Sequence, residues 1–338
     1  MPFFGVTDRQ LGRYRSAKNE LSEQYLRPIP NLSALAAFNP IASPKPEHNV
    51  VGVGIGEKIS HDIATGILSV KLFVRIKYPD DQISDDDRLP ATANGLPVDV
   101  EETGTFVRFA KAIAMPDPRA RFRPAQPGCS IGFEDPHHQF RMAGTLGAIV
   151  KSGTRLFLLS NNHVLADENQ LAVGSSIFQP ALLDGGDIAK DRIALLTRFA
   201  TLTTSKPNKI DCAIAQADKN NLVSNEVLYI GAPSGAAEAA IDMQVHKFGR
   251  TTGYRVGRVT SIETDVTIGY EMGNLQFDNQ IVIVGRTGQP FSAAGDSGSL
   301  ILERGTNRAI GLLFGGSPSH TIANHIGDVL RALKVTLA

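Results

Sequence analysis

Alternating and periodic hydrophobic positions divide the chain into stretches of different character. After Thr7, a candidate N-cap with Gln10 at capping-box spacing, Leu11, Tyr14, Leu21 and Tyr25 fall near one helical face that Lys18 interrupts. Pro28 and Pro30 end this helix, and with Pro40, Pro44 and Pro46 they make residues 27–48 an extended connector. Val50 to Ile55 and Ile67 to Val74 read as strands, the second entered through a Thr65-Gly66 turn, and Leu96 to Val100 reads as a third. Asp80 to Asp87 is acidic and solvated. Pro116, Pro118, Pro124 and Pro127 then mark a boundary. Beyond it, short apolar runs recur between glycine-rich turns, at 145–150, 155–159, 192–196, 211–215, 227–231, 244–248, 256–262, 281–284, 299–302 and 309–314. That spacing predicts an all-β barrel or sandwich. A last helix follows, with Asn324 as cap and Ile326, Val329, Leu330 and Leu333 as its apolar stripe. The expected division is a helix and connector over 1–48, a small α+β domain over 49–115, and a β domain with a C-terminal helix over 116–338.

Composition narrows the function classes. The 338 residues carry 34 Lys+Arg against 34 Asp+Glu, so no net charge argues for nucleic acid or an anionic membrane as partner. Hydrophobic residues make up 42%, enough for packed cores, and no apolar run reaches the ~20 residues of a membrane span. The N-terminus shows no signal-peptide pattern. Two cysteines, Cys129 and Cys212, are too few for a secreted disulfide framework, so a cytoplasmic setting is expected. Cys212 reads as a small buried hydrophobe. Gly52, Gly54 and Gly56 are spaced G-x-G-x-G with no helix after them, so they are not a nucleotide cradle; a strand closely approached by another backbone is the plainer reading. His137-His138 lacks a third ligand at local spacing and reads as a polar turn, so no metal and no organic cofactor is expected.

Three segments of the β region carry the chemistry together. Leu158 to Leu165 runs from an apolar strand into Ser160-Asn161-Asn162-His163. Asp211 stands at the mouth of a small-residue strand. Ala294-Gly295-Asp296-Ser297-Gly298 places a hydroxyl between two glycines. Acyl transfer needs a nucleophilic oxygen, a base, an acid that orients the base, and amides aimed at the oxyanion. Ser297, His163, Asp211 and the amides of Gly295 and Ser297 match those parts. The glycine-flanked serine is no nucleophile elbow, since position 299 is Ser. An esterase with Asp-x-x-His after its serine is also excluded, because the Asp-x-x-His here, Asp135 to His138, precedes Ser297.

The order His163, Asp211, Ser297, with successive members 48 and 86 positions apart, resembles the chymotrypsin/trypsin-like serine proteases. Ser160 to Leu165, Lys247-Phe248-Gly249-Arg250-Thr251-Thr252-Gly253, and Val50 to Gly54 with Pro97 to Val100 are similar to a bacterial trypsin-like branch related to the plant narrow-leaf serine proteases. The resemblance implies a chymotrypsin-like double β-barrel, mainly β, behind a small N-terminal α+β domain and a leading helix. It also implies a serine endopeptidase acting on protein or peptide substrates. Two departures matter. No Ile-Val-Gly-Gly start precedes the β region, so Asp296, which occupies the place of the acid that pairs with the new amine, needs another partner if buried. The position that holds an Asp in digestive trypsins is Phe291, followed by Ser292, so an apolar pocket floor is expected, with Gly315 and Gly316 leaving its wall open. Three readings remain: a constitutive enzyme, one switched on by an activating partner or ligand, and a catalytically silent scaffold of protease fold. The leading helix has no evident partner on a self-contained barrel, which raises the expectation that it, or the 49–110 domain, packs on a neighbouring subunit as a homo-oligomer, with folding back on its own barrel as the alternative.

Overall fold

The computed structural model describes residues 7–26, 44–60, 63–104, 115–135, 142–286 and 289–338. The chain divides into two compact units, Met1–Ile113 and Ala114–Ala338. The connector residues 27–43 and the pair His137-His138 lie outside the described residues.

In the first unit, α1 (Asp8–Tyr25) starts where the capping box predicts: the Thr7 hydroxyl accepts the Gln10 amide and the Gln10 side chain accepts the Thr7 amide. A short α2 (Pro46–Asn49) leads into β1 (Val50–Ser60), followed by β2 (Ile63–Val74), β3 (Thr92–Ala93) and β4 (Leu96–Glu102). They form one sheet in the order β1-β2-β4-β3, with β2 and β4 parallel. α1 lays Ala17 and Leu21 on Val70, Leu72, Val74, Leu96 and Val98, and the Tyr14 hydroxyl donates to the Leu68 carbonyl at 3.1 Å. The helix stripe is therefore covered by the sheet that follows it. The apolar face of the helix thus has a partner within its own unit. The glycine row in β1 also has a different explanation from the one expected. A Cβ on Gly54 would meet the Phe73 ring at 3.2 Å and one on Gly56 the Lys71 stem at 3.3 Å, so cross-strand side chains, not a second backbone, fill the space.

The second unit is a chymotrypsin-like pair of β-barrels. The first uses β5 (Ser130–Phe133), β6 (Gly144–Thr145), β7 (Ala148–Ser152), β8 (Arg155–Ser160), β9 (Ser176–Phe178), β10 (Arg192–Phe199) and β11 (Ala213–Ala217). β6 pairs with β5 at one end of the sheet and β7 pairs with β8 at the other, so the Gly144–Ser152 stretch brings the two ends together. The second uses β12 (Gly235–Ala236), β13 (Gln244–Gly249), β14 (Gly253–Tyr270), β15 (Gly273–Gly285), β16 (Leu300–Glu303), β17 (Arg308–Gly316) and β18 (His320–His325), and pairing of β18 with both β15 and β17 closes it. α3 (Asn162–Leu165) is one turn after β8; α4 (Ile326–Leu333) and β19 (Thr336–Leu337) finish the chain, β19 pairing with β7 of the first barrel. Two expectations are corrected. Residues 227–231 form a buried turn, not a strand: Val227, Leu228 and Ile230 point inward, and Tyr229 sits at φ +67°. Asn324 lies in β18, and His325 stands at the N-cap of α4. Apolar content signalled burial at 227–231 but not the backbone path, and Asn324 was needed elsewhere.

Candidate active site

β8 ends in Ser160 and the chain turns into α3, which presents His163 at the mouth of the first barrel. Its Nδ1 stands 2.5 Å from Asp211 Oδ2. Asp211, wholly buried just before β11, has its other oxygen filled by the amide of Asn162 at 2.6 Å and, more distantly, by that of His163 at 3.4 Å. The Asp211 backbone is held on both sides, its amide by Asn324 Oδ1 and its carbonyl by Asn161 Nδ2. Burial alone would disfavour the imidazolium, but the charge and hydrogen bond of Asp211, helped by Glu168, raise His163 above its ordinary value. Of the other aspartates between His163 and Asp211, three are engaged elsewhere: Asp184 with Arg250 and Ser130, Asp191 with Arg121 and Arg123, and Asp187 with Lys190.

Ser297 comes from the turn before β16. The Thr145 amide donates to the Ser297 carbonyl at 2.8 Å, and a Cβ on Gly144 would touch both the Val164 side chain and the Ser297 carbonyl. The serine turn and the histidine turn thus press on the same residue of β6. Gly298, at φ +94°, has no room for a side chain: a Cβ there would fall 2.1 Å from Ser160 Oγ. Gly295 is also left-handed, at φ +90°. The Thr251 hydroxyl donates to the Ala294 carbonyl at 2.7 Å, which turns the Gly295 N–H to the opposite side of that peptide. Among the described residues neither the Gly295 nor the Ser297 amide donates to a protein acceptor, so both remain available to an oxyanion.

The partner of Asp296, left open by the sequence, is Lys247. The two are fully buried and 3.0 Å apart. Asp296 also accepts from the amides of Thr251, Thr252 and Ala293 and from the Thr252 hydroxyl. Burial alone would raise this carboxyl; the Lys247 charge and these donors outweigh it and hold it below the usual carboxylate range. The clue in the sequence is Lys247 directly before Phe248, in a strand that the structure buries from Val245 to Gly249. Lys247→Met is expected to cost about 3–5 kcal/mol, because it strands a buried carboxylate. Urea unfolding near pH 7 checks it. Since the folded carboxyl is depressed, the wild-type margin is present above about pH 4 and shrinks as pH falls below it, and Asp296→Asn flattens that dependence.

The pocket residues need correction. Phe291 is 1% exposed and packs among Val245, Val259, Ile281, Ile283 and Ile301 in the second barrel, so its ring is core and not a contact surface. The Ser292 hydroxyl pairs with that of Thr321 at 2.6 Å. Gly315 is not open: a Cβ there would meet Ile268 at 3.1 Å, because the β14–β15 hairpin folds onto this strand. Gly316 is exposed. Cys129 and Cys212 are buried; burial pushes the Cys129 thiol up to about 12 and raises Cys212 as well, so neither is a nucleophile near neutral pH. Tyr270, which the sequence did not single out, reaches the site from the end of β14 and donates to Asp211 Oδ2 at 2.7 Å.

Two closed barrels with the histidine turn on one and the serine turn on the other define the fold of the chymotrypsin/trypsin-like serine proteases. Within it, residues 218–325 match the family described as the Nal1 C-terminal domain. Solved structures similar to the chain include Thermobifida fusca Protease A, at 17% identity and TM-score 0.45 over 63% of this chain and 97% of that one. Also similar are a glutamic-acid-specific serine protease with a histidine triad in substrate binding, at 20% and 0.45 over 63% and 100%, and Nocardiopsis protease, at 19% and 0.44 over 62% and 97%. No curated protein sequence matches the chain. No helix among the described residues is long and apolar enough to cross a membrane.

Proposed function

We propose that the chain is a serine endopeptidase, with Ser297 as nucleophile, His163 as general base and then acid, and Asp211 fixing the imidazole. The observation that carries this reading is the 2.5 Å contact between His163 Nδ1 and a buried Asp211 carboxylate, on a turn that abuts Gly144 together with a serine turn whose two amides are unengaged. With Nδ1–H committed to Asp211, Nε2 is the lone-pair nitrogen that can take a proton. Ser297 Oγ adds to the substrate carbonyl as its proton passes to Nε2. The Gly295 and Ser297 amides stabilise the oxyanion, and the imidazolium returns the proton to the leaving amine. Water then repeats the sequence on the acyl-enzyme.

A fluorophosphonate probe tests the reading, with peptide mapping to locate the adduct before and after addition of cell extract. Immediate labelling at Ser297 marks a constitutive enzyme and labelling only with extract marks a switched one. A protein that never labels is a scaffold, and the proposal fails.

The position that holds a carboxylate in digestive trypsins is a phenylalanine here, so that position offers no charge to pair with a Lys or Arg before the scissile bond, and an unpaired buried charge costs several kcal/mol. A peptide-library profile is expected to favour Ala, Val, Leu or Met there over Lys and Arg. Dominant cleavage after basic residues would contradict it.

A further inference from the structure

The strands β14 and β15 run far beyond the second barrel wall as one hairpin, closing with Tyr270 opposite Gly273. Its tip is anchored from the other barrel. The two oxygens of Glu168 accept the amides of Glu271 and Met272, each at 2.9 Å. Glu168 itself lies in an unusual loop just after α3: Asp167, Glu168 and Asn169 all adopt left-handed backbone, at φ +48°, +50° and +76°. For non-glycine residues each such position is costly. Reciprocal hydrogen bonds between Asn162 and Asn169 hold the loop, and Asn169 is tied further to both the amide and the carbonyl of Leu202. Behind the tip, Tyr270 stacks on Phe277, with ring centres 5.8 Å apart, and Phe277 packs on Phe314 at 4.8 Å. The tip is thus held by Glu168 at its backbone and by Phe277 behind its tyrosine ring.

What it delivers is a hydroxyl in an apolar setting. The Tyr270 ring meets the His163 ring edge-on at 5.9 Å and 82°. Its O–H donates to Asp211 Oδ2, the same oxygen that receives Nδ1 of His163. Each carboxylate oxygen has two lone-pair directions. On Oδ1 they go to the amides of Asn162 and His163; on Oδ2 they go to His163 and Tyr270.

On the reading proposed above, we infer that Tyr270 is a positioning residue of the triad, its hydroxyl locking the Asp211 carboxylate plane and tempering the pull of Oδ2 on the imidazole proton. The phenol is committed to donating: burial and the Asp211 charge raise it well beyond its ordinary value. The charged and titratable groups facing His163 are Asp211 from the β11 entry, Glu168 from the loop after α3 and Tyr270 from the hairpin. Glu271, at the exposed hairpin tip, acts with Glu168 and Asp135 on Asp167, which burial and these charges raise to about 6.

Taking away the hydroxyl leaves Oδ2 a stronger acceptor for His163. The imidazolium is then favoured, so His163 titrates higher and the neutral base is lost at a higher pH. Tyr270→Phe keeps the ring and its stack on Phe277, so it separates hydrogen bonding from packing. Two measurements on the full chain decide the matter. The first is the His163 imidazole titration by NMR, assigned by loss of the signal in His163→Gln. The second is the pH profile of kcat/KM on a peptide the wild type cleaves. The expected result is an upward move of His163 and of the acid limb by about half a unit or more, with kcat down about tenfold and KM within about twofold. Unchanged titration and an unchanged acid limb in Tyr270→Phe would overturn the inference and leave the ring as hairpin packing. The NMR measurement needs no catalysis: a His163 shift in a protein that never takes up fluorophosphonate would sustain the Tyr270 linkage while refuting the peptidase reading.

Discussion

Ser297→Ala is expected to take up no fluorophosphonate and to lose about 10⁶ in kcat, the scale set by removing the nucleophile from a triad that acts as a unit. Its circular dichroism and urea midpoint are expected to match wild type. The turn is shaped by Gly295 and Gly298 and by the buried Lys247–Asp296 pair, and none of these contacts uses the Ser297 hydroxyl. Residual hydrolysis of roughly 10³–10⁴ over water is expected to survive, because the Gly295 and Ser297 amides remain. An alanine protein that cleaves as well as wild type would remove Ser297 from the mechanism.

The second large effect is expected at Asp211. Asp211→Asn keeps the shape of the side chain but replaces an acceptor with an amide, which favours the wrong tautomer of His163. Turnover at neutral pH is expected to fall about 10⁴-fold. The same change at Asp187 is the control, since that carboxylate is partly exposed and pairs with Lys190 rather than with an imidazole. Steady-state rates on one peptide for both variants check it. A large loss at Asp187 with an active Asp211→Asn would reverse the assignment.

Much of this site could be read before any coordinates, and the reasons are local. A histidine after an apolar strand, an aspartate before a small-residue strand and a serine between glycines each leave a mark within a few residues. The barrels were legible for the same reason, since short apolar runs between glycine turns survive as pattern. What was not legible depended on long-range pairing. Lys247 reaches Asp296 across 49 positions of sequence and Tyr270 reaches Asp211 across 59. Phe291 was placed by its offset from Ser297, and an offset cannot tell whether a ring faces a pocket or a core. Gly315 looked open because nothing in its own segment covers it; Ile268 arrives from a hairpin elsewhere. The leading helix lacked a partner only when it was judged against the barrel. Its apolar residues belong with Val70, Leu72 and Val98 of the sheet that follows.

The buried Lys247–Asp296 pair bears on how such a molecule can be controlled and built upon. Where the ammonium beneath the serine turn is a freshly cut terminus, ripening is irreversible and nothing can be left attached ahead of the barrel. Here the cation is a side chain of β13, in place as soon as the second barrel closes. Whatever precedes residue 114 can be exchanged, lengthened or tagged without touching that ammonium. A cation beneath the serine turn therefore needs no newly cut terminus.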